Sequence, residues 1–130
     1  MKYLLDTDWA VHYLRGNKAI LSELSSLIPE GVGISIVSVA ELYAGLYCSE
    51  YLEENVKGLK HFLKKLTLLH LGEETVDIYG RLYANLRRKD QLIDGFDLLI
   101  AAACLEKKLI LLTQNRRHFD RIRGLEIHSI

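Results

Sequence analysis

The sequence predicts an α/β fold with a largely parallel sheet of four or five strands. Short apolar runs of strand length alternate with amphipathic segments of helix length. Successive runs are separated by a dozen or more residues, the span that a parallel crossover through a helix requires. At 130 residues, with 49% apolar and 26% charged side chains and no repeat, linker or low-complexity segment, the chain suits one domain with a real core.

Tyr3-Leu4-Leu5 is apolar and flanked by polar residues, which suits a buried strand, and Asp6 closes it. Asp8 is placed to N-cap an amphipathic helix over Trp9–Leu14, which Gly16 and Asn17 stop. A second helix follows from Lys18 to Leu27. Pro29, Gly31 and Gly33 break the chain before Ile34-Ser35-Ile36-Val37, a β-branched run read as the second strand. Ser38 then opens a helix with Tyr43, Tyr47 and Tyr51 in an i, i+4 stripe. Val56, Leu59, Phe62 and Leu63 recur at helical spacing, and Leu66–Leu71 reads as the third strand. A helix over Glu73–Lys89 precedes an alanine-rich helix that starts near Asp97. Leu109–Thr113 is the fourth strand, and Leu125–His128 alternates as an edge strand does.

Composition excludes several classes. Seventeen basic residues balance seventeen acidic ones, so no overall positive field holds nucleic acid indiscriminately. Cys48 and Cys104 have no C-x-x-C spacing, which argues against a disulfide framework or a zinc site and fits a reducing cytosol. No signal-like segment and no run of about 18 apolar residues occurs, so a cytoplasmic protein without membrane spans is expected.

Open α/β sheets bind ligands at the carboxyl ends of their strands. Asp6 ends the first strand, Glu41 lies just after the second, and Asp97 opens the helix leading into the strand that ends Thr113-Gln114-Asn115. Three uncompensated carboxylates at one edge would repel, and a divalent cation is the usual resolution. Each acid also has a plainer role open to it. Asp6 or Asp8 caps the first helix, Ser38-x-x-Glu41 has the pattern of a capping box, and Asp94 or Asp97 caps the alanine-rich helix. The plainer role open to the tyrosine stripe is packing on a core with its hydroxyls reaching water. Arg87, Arg116 and Arg117 either face a phosphate backbone or decorate a solvated surface.

LLDTDWAVHYLRG, SIVSVAELYAGL and GFDLLIAAACLEKKLILLTQNRRHFDRIRGLEI together resemble the PIN-domain ribonucleases, and within them the VapC-type toxins of toxin–antitoxin pairs. The resemblance runs from end to end of the chain. It implies a single PIN domain over 1–130, with three α/β/α layers. It places the family's acids on Asp6, Glu41 and Asp97, as metal ligands and catalytic residues, and its polar strand-end pair on Thr113 and Asn115. His118 stands where the family often has a further acid; Asp94, Asp120 or a water held by Asn115 could take that place. Carboxylate ligands suit Mg²⁺, with Mn²⁺ as a substitute. The activity implied is metal-dependent endoribonuclease cleavage of RNA, with a VapB-type antitoxin and a second copy of the chain as partners.

Two rival readings stand beside it. Asp6-Thr7-Asp8 and the strand ending at Thr113 resemble motifs of haloacid dehalogenase-type phosphotransferases, but only 17 residues follow Thr113 and no acidic pair is among them. A receiver-like signalling module needs an aspartate closing the middle strand, and LTLLHLGEE has none there.

Overall fold

The computed structural model describes residues 1–130. At its centre is β1 (Tyr3–Leu5), short and wholly buried. Parallel neighbours flank it, β2 (Val32–Ser35) and β4 (Ile110–Leu112), with Leu5 opposite Ile34 on one side and Leu112 on the other. Two more parallel strands, β3 (Thr67–Leu69) and β5 (Ile127–His128), form the edges, giving the order β3-β2-β1-β4-β5. Because the register pairs Leu5 with Ile34 and Leu112, the next residue on each strand, Asp6, Ser35 and Thr113, comes out at the same edge. That edge is the switch point where the strand order reverses, with β1 feeding outward in both directions.

Helices cover both faces. On one lie α1 (Thr7–Leu14), α2 (Lys18–Leu27), α3 (Ile36–Tyr47) and α4 (Leu52–Leu63), whose Trp9, Leu24, Leu42, Leu59 and Phe62 pack with Tyr3 and Leu5. On the other lie α5 (Glu73–Arg88), α6 (Gly95–Lys107) and the short α7 (Arg116–Phe119), packed with Leu4 and Leu111. The pleat explains the division, since successive side chains of β1 alternate between faces. Ala101, Ala102, Ala103 and Cys104 make α6 narrow enough to lie close against the sheet, and all four are buried. Its buried thiol is pushed up from its ordinary range by desolvation. The three-layer arrangement is the one expected.

Several boundaries differ from the sequence reading. The second strand is Val32–Ser35, two residues earlier than Ile34–Val37, because Gly33 does not break it. A Cβ on Gly33 would lie 3.2 Å from the Thr67 carbonyl, so glycine permits the close approach of β3. Ser35, not Ser38, caps α3, its hydroxyl accepting from the Val37 amide at 3.1 Å. The third strand shrinks to Thr67–Leu69, an edge strand with little to pair beyond it. Nor does the tyrosine stripe pack on a core. Tyr47 and Tyr51 are 71% and 68% exposed, while Tyr43 is 38% exposed. No helix is long and apolar enough to cross a membrane.

Candidate functional site

Asp6 leaves β1 with its amide still bonded to the Leu112 carbonyl at 2.9 Å. Its side chain does two jobs. One carboxylate oxygen, Oδ1, caps α1 by accepting from the Thr7 amide at 2.8 Å, and the other accepts from the Thr113 hydroxyl at 2.7 Å. The cap on α1 is therefore Asp6 and not Asp8, and capping does not remove Asp6 from the strand edge. Only 3% of Asp6 is exposed.

Asp8, freed from capping, turns toward the end of β4. Its Oδ2 accepts from the Gln114 amide at 3.1 Å, and its Oδ1 is buried without any hydrogen-bond partner. Glu41 sits inside α3, so the capping box with Ser38 does not form. Its Oε1 instead accepts from the Thr7 hydroxyl at 2.7 Å. Since Thr7 has one proton and gives it to Glu41, the Ser38 hydroxyl 3.0 Å away is the donor to Thr7.

Asp97 comes from the first turn of α6, whose N-cap is Asp94, accepting from the Phe96 amide at 3.1 Å. Oδ2 of Asp97 lies 3.2 Å from His118 Nδ1, and the same nitrogen lies 3.0 Å from the Asn115 amide nitrogen. With its proton on Nε2, His118 accepts from Asn115; with a proton on Nδ1 it donates to Asp97. Only a ring with a proton on Nδ1 ties α7 to α6 at the carboxylate.

The structure thus brings Asp6, Glu41 and Asp97 to one open cleft of about 490 Å³, together with Asp8, Thr7 and Asn115. His12 and Arg15 of the first helix and its C-cap are the cleft's basic groups. Thr113 is buried directly beneath, on Asp6. Asp94 is held in its capping role. Asp120 stands away from the cleft, 59% exposed and 3.8 Å from Arg116. Arg116 also donates to Ser129 at 3.3 Å, and Arg117 is exposed on the same short helix. Arg87 does not line the cleft; it shares a separate surface hollow with Tyr83 and Arg88.

Sequence reading passed over Asp8, Thr7, His12 and Arg15 as site residues. For Asp8 a signal existed in D-T-D: two acids two residues apart at a strand end cannot both cap one helix.

Burial dominates the electrostatics. Desolvation, reinforced by the negative charge of Asp8, pushes Asp6 up to about 7, against the opposing bond from Thr113. Asp8 is raised by burial despite the Gln114 amide, and Asp97 by burial and Asp94 despite His118. No three histidine, cysteine or acidic side chains stand close enough together to hold a metal ion by themselves. An open cleft lined by carboxylates suits Mg²⁺, which keeps several waters and binds through one or two carboxylates. The unpartnered Asp8 oxygen and the raised carboxyls fit the same hard cation: the site carries more negative charge than its own residues compensate.

Known proteins resemble the chain along nearly its whole length. The PIN domain model matches residues 3–125. Ribonuclease VapC2 of Haemophilus influenzae is 33% identical over 132 residues, covering 99% of this chain and 98% of that protein. Ribonuclease VapC1 of Methanocaldococcus jannaschii is 33% identical, covering 98% and 88%. Among solved structures, VapBC2 from Rickettsia felis bound to a DNA fragment from its promoter superposes with a TM-score of 0.94 at 29% identity, over 100% of this chain and 99% of that one.

Proposed function

The chain belongs to the PIN-domain family, and from that premise we propose that it is a metal-dependent endoribonuclease, the toxin of a VapBC-type toxin–antitoxin pair, with 1–130 as its single domain. One observation carries the reading. Carboxylates from three separate elements, Asp6, Glu41 and Asp97, converge on one cleft where burial leaves Asp6 poorly compensated.

Asp6 and Asp97 are the residues to hold Mg²⁺, or Mn²⁺ in its place. When bound, such an ion acidifies a coordinated water and offsets charge growing on the phosphoryl oxygens. The protein's own groups set the geometry. Thr113 fixes Asp6, the Ser38–Thr7 pair fixes Glu41, and His118, donating from Nδ1, fixes Asp97. Glu41 completes the ligand set or orients the attacking water. The helix N-termini of α3 and α6 point at this edge, adding positive potential for a phosphate group. Since water attacks, the products carry a 5′-phosphate and a 3′-hydroxyl.

The test is cleavage of RNA by the purified protein, free of any inhibitor. Products with 5′-phosphate ends in Mg²⁺ or Mn²⁺, lost in EDTA, are the expected result. No cleavage with either ion overturns the reading. Arg116 and Arg117 are the residues to contact the RNA backbone beyond the cleft. Their joint replacement by alanine is expected to lower the salt dependence of substrate binding by about two counterions' worth of slope. An unchanged slope removes them from the interface.

A second groove, of about 430 Å³, runs from the cleft between α1, α3 and α4, sharing Arg15 and Glu41 and floored by Leu42, Leu46 and Leu59. It gives an antitoxin segment an apolar seat and a path to the carboxylates, where a basic side chain would be matched. Gly58 faces open space in it. Gly58→Leu should fill the seat and weaken inhibition by the antitoxin about tenfold or more, with cleavage retained. Inhibition as tight as that of the unmodified protein would place the antitoxin elsewhere. The outward-facing Tyr47 and Tyr51 are the residues proposed for contact with a second copy. Replacing both by serine is expected to shift the protein to monomer in sedimentation, and unchanged assembly would exclude them.

A further inference from the structure

Gln114 is exposed, yet its side chain makes three hydrogen bonds beside the cleft. Its Oε1 accepts from the indole N–H of Trp9 at 3.1 Å and from the Ile130 amide at 2.9 Å, and its Nε2 donates to the Ile130 carbonyl at 2.5 Å. Its own backbone amide donates to Asp8 Oδ2 at 3.1 Å. The segment it grips is fastened twice more: the Ser129 hydroxyl donates to the Thr113 carbonyl, and Arg116 donates to Ser129. Trp9, fully buried, meets His128 edge to face with centroids 6.1 Å apart.

We propose that Gln114 is a positioning residue for the cleft, coupling the seated Ser129–Ile130 segment and Trp9 to the Asp8 carboxylate. This rests on the reading of the cleft as a cation-dependent nuclease site. Thr113 and Gln114 are consecutive, and each holds one acid of the D-T-D turn: Thr113 through its hydroxyl on Asp6, Gln114 through its amide on Asp8. The rotation of the Gln114 peptide therefore sets where the Asp8 carboxylate stands. Three side-chain bonds fix that peptide from outside. Without them the end of β4 keeps the bonds made by Thr113, its amide to the His128 carbonyl, its carbonyl from Ser129 and its hydroxyl to Asp6, but nothing holds the Gln114 side of the turn. Asp8, whose Oδ1 has no partner of its own, would then lose the Gln114 amide bond on its other oxygen, leaving there only the longer contact from the Thr113 hydroxyl at 3.4 Å. Partners of this outer kind commonly change cation affinity by about tenfold when removed.

The experiment measures Mn²⁺ binding by calorimetry, thermal unfolding without the ion, and the Mg²⁺ dependence of cleavage. It uses the full chain, Gln114→Ala, Trp9→Phe and the double variant. Gln114→Ala is expected to weaken Mn²⁺ binding about tenfold and to raise the Mg²⁺ concentration for half-maximal cleavage by a similar factor, with little change in unfolding temperature. Trp9→Phe removes the indole N–H toward Gln114 together with part of a fully buried ring, so it also lowers the unfolding temperature. It should weaken binding in the same direction, and the double variant should bind no more weakly than Gln114→Ala alone. If the unmodified chain binds Mn²⁺ and Gln114→Ala binds it equally well, the proposal falls and the nuclease reading stands. Additive losses in unfolding temperature with unchanged affinity mean a purely structural clamp and also overturn it. If the unmodified chain binds no ion and cuts no RNA, both fall together.

Discussion

RNA cleavage should fall by about a thousandfold or more when Asp6 is replaced by asparagine, a loss of about 4 kcal/mol of transition-state stabilisation, while the ion-free protein melts higher. The two effects share one cause. Asp6 is 3% exposed and lies beside Asp8, so keeping it ionised in the fold costs energy that its bonds from Thr7 and Thr113 only partly return. Asparagine has nearly the same shape. Its Oδ1 can still accept from the Thr7 amide, so the cap on α1 survives. The charge does not survive, and with it goes the ligand proposed for the cation. At pH 7.5 the variant's unfolding midpoint should rise by about 5 °C. Thermal unfolding and a cleavage assay on the same preparation check this. Full cleavage in Asp6→Asn removes Asp6 from the site, and a lower midpoint shows the buried charge to be compensated after all. A site that destabilises its own scaffold is what cation binding by uncompensated carboxylates demands.

Much of this was legible in the sequence, and the unread part has physical reasons. Parallel strands with helical crossovers follow from the spacing of apolar runs, and once β1, β2 and β4 are parallel and in register their terminal polar residues share an edge. So Asp6 and Thr113 could be placed together from the pattern alone. Glu41 was harder, because Ser38-x-x-Glu41 satisfies the rules of a helix start. The shift of β2 by two residues decides it, and that shift follows from close backbone approach at Gly33, which sequence periodicity does not register. For Asp6 and Asp8 the roles were interchanged: a carboxylate can cap a helix with one oxygen and serve a site with the other, so cap and ligand are not exclusive. The exposed tyrosines show the converse limit. Their i, i+4 spacing gives a common face but not what that face meets.

Acidification should stabilise the ion-free protein, the reverse of what ionised, well-paired carboxylates do. Asp6 in the fold titrates near 7, against an ordinary carboxylate value of 3.8. Between those two values the folded state holds more protons than the unfolded chain, so stability falls as pH rises through the window and the full cost is present above 7. Asp8 and Asp97, also raised, act with the same sign. Glu106 is lowered by its bond from Thr75, and its opposite contribution falls away only in more acid solution, below the ordinary glutamate range. Going from pH 8 to pH 5 should therefore add about 2 kcal/mol, read as a midpoint about 6 °C higher. Cation binding competes with those same protons. In saturating Mn²⁺ the slope should flatten or reverse, because the ion stabilises the deprotonated cluster in proportion to its affinity, and that affinity weakens as the pH drops below 7. Thermal unfolding at each pH, with EDTA and with Mn²⁺, measures both curves. If the EDTA curve falls steadily from pH 8 to pH 5, the acids at the sheet edge are paired within the protein and have no need of an ion.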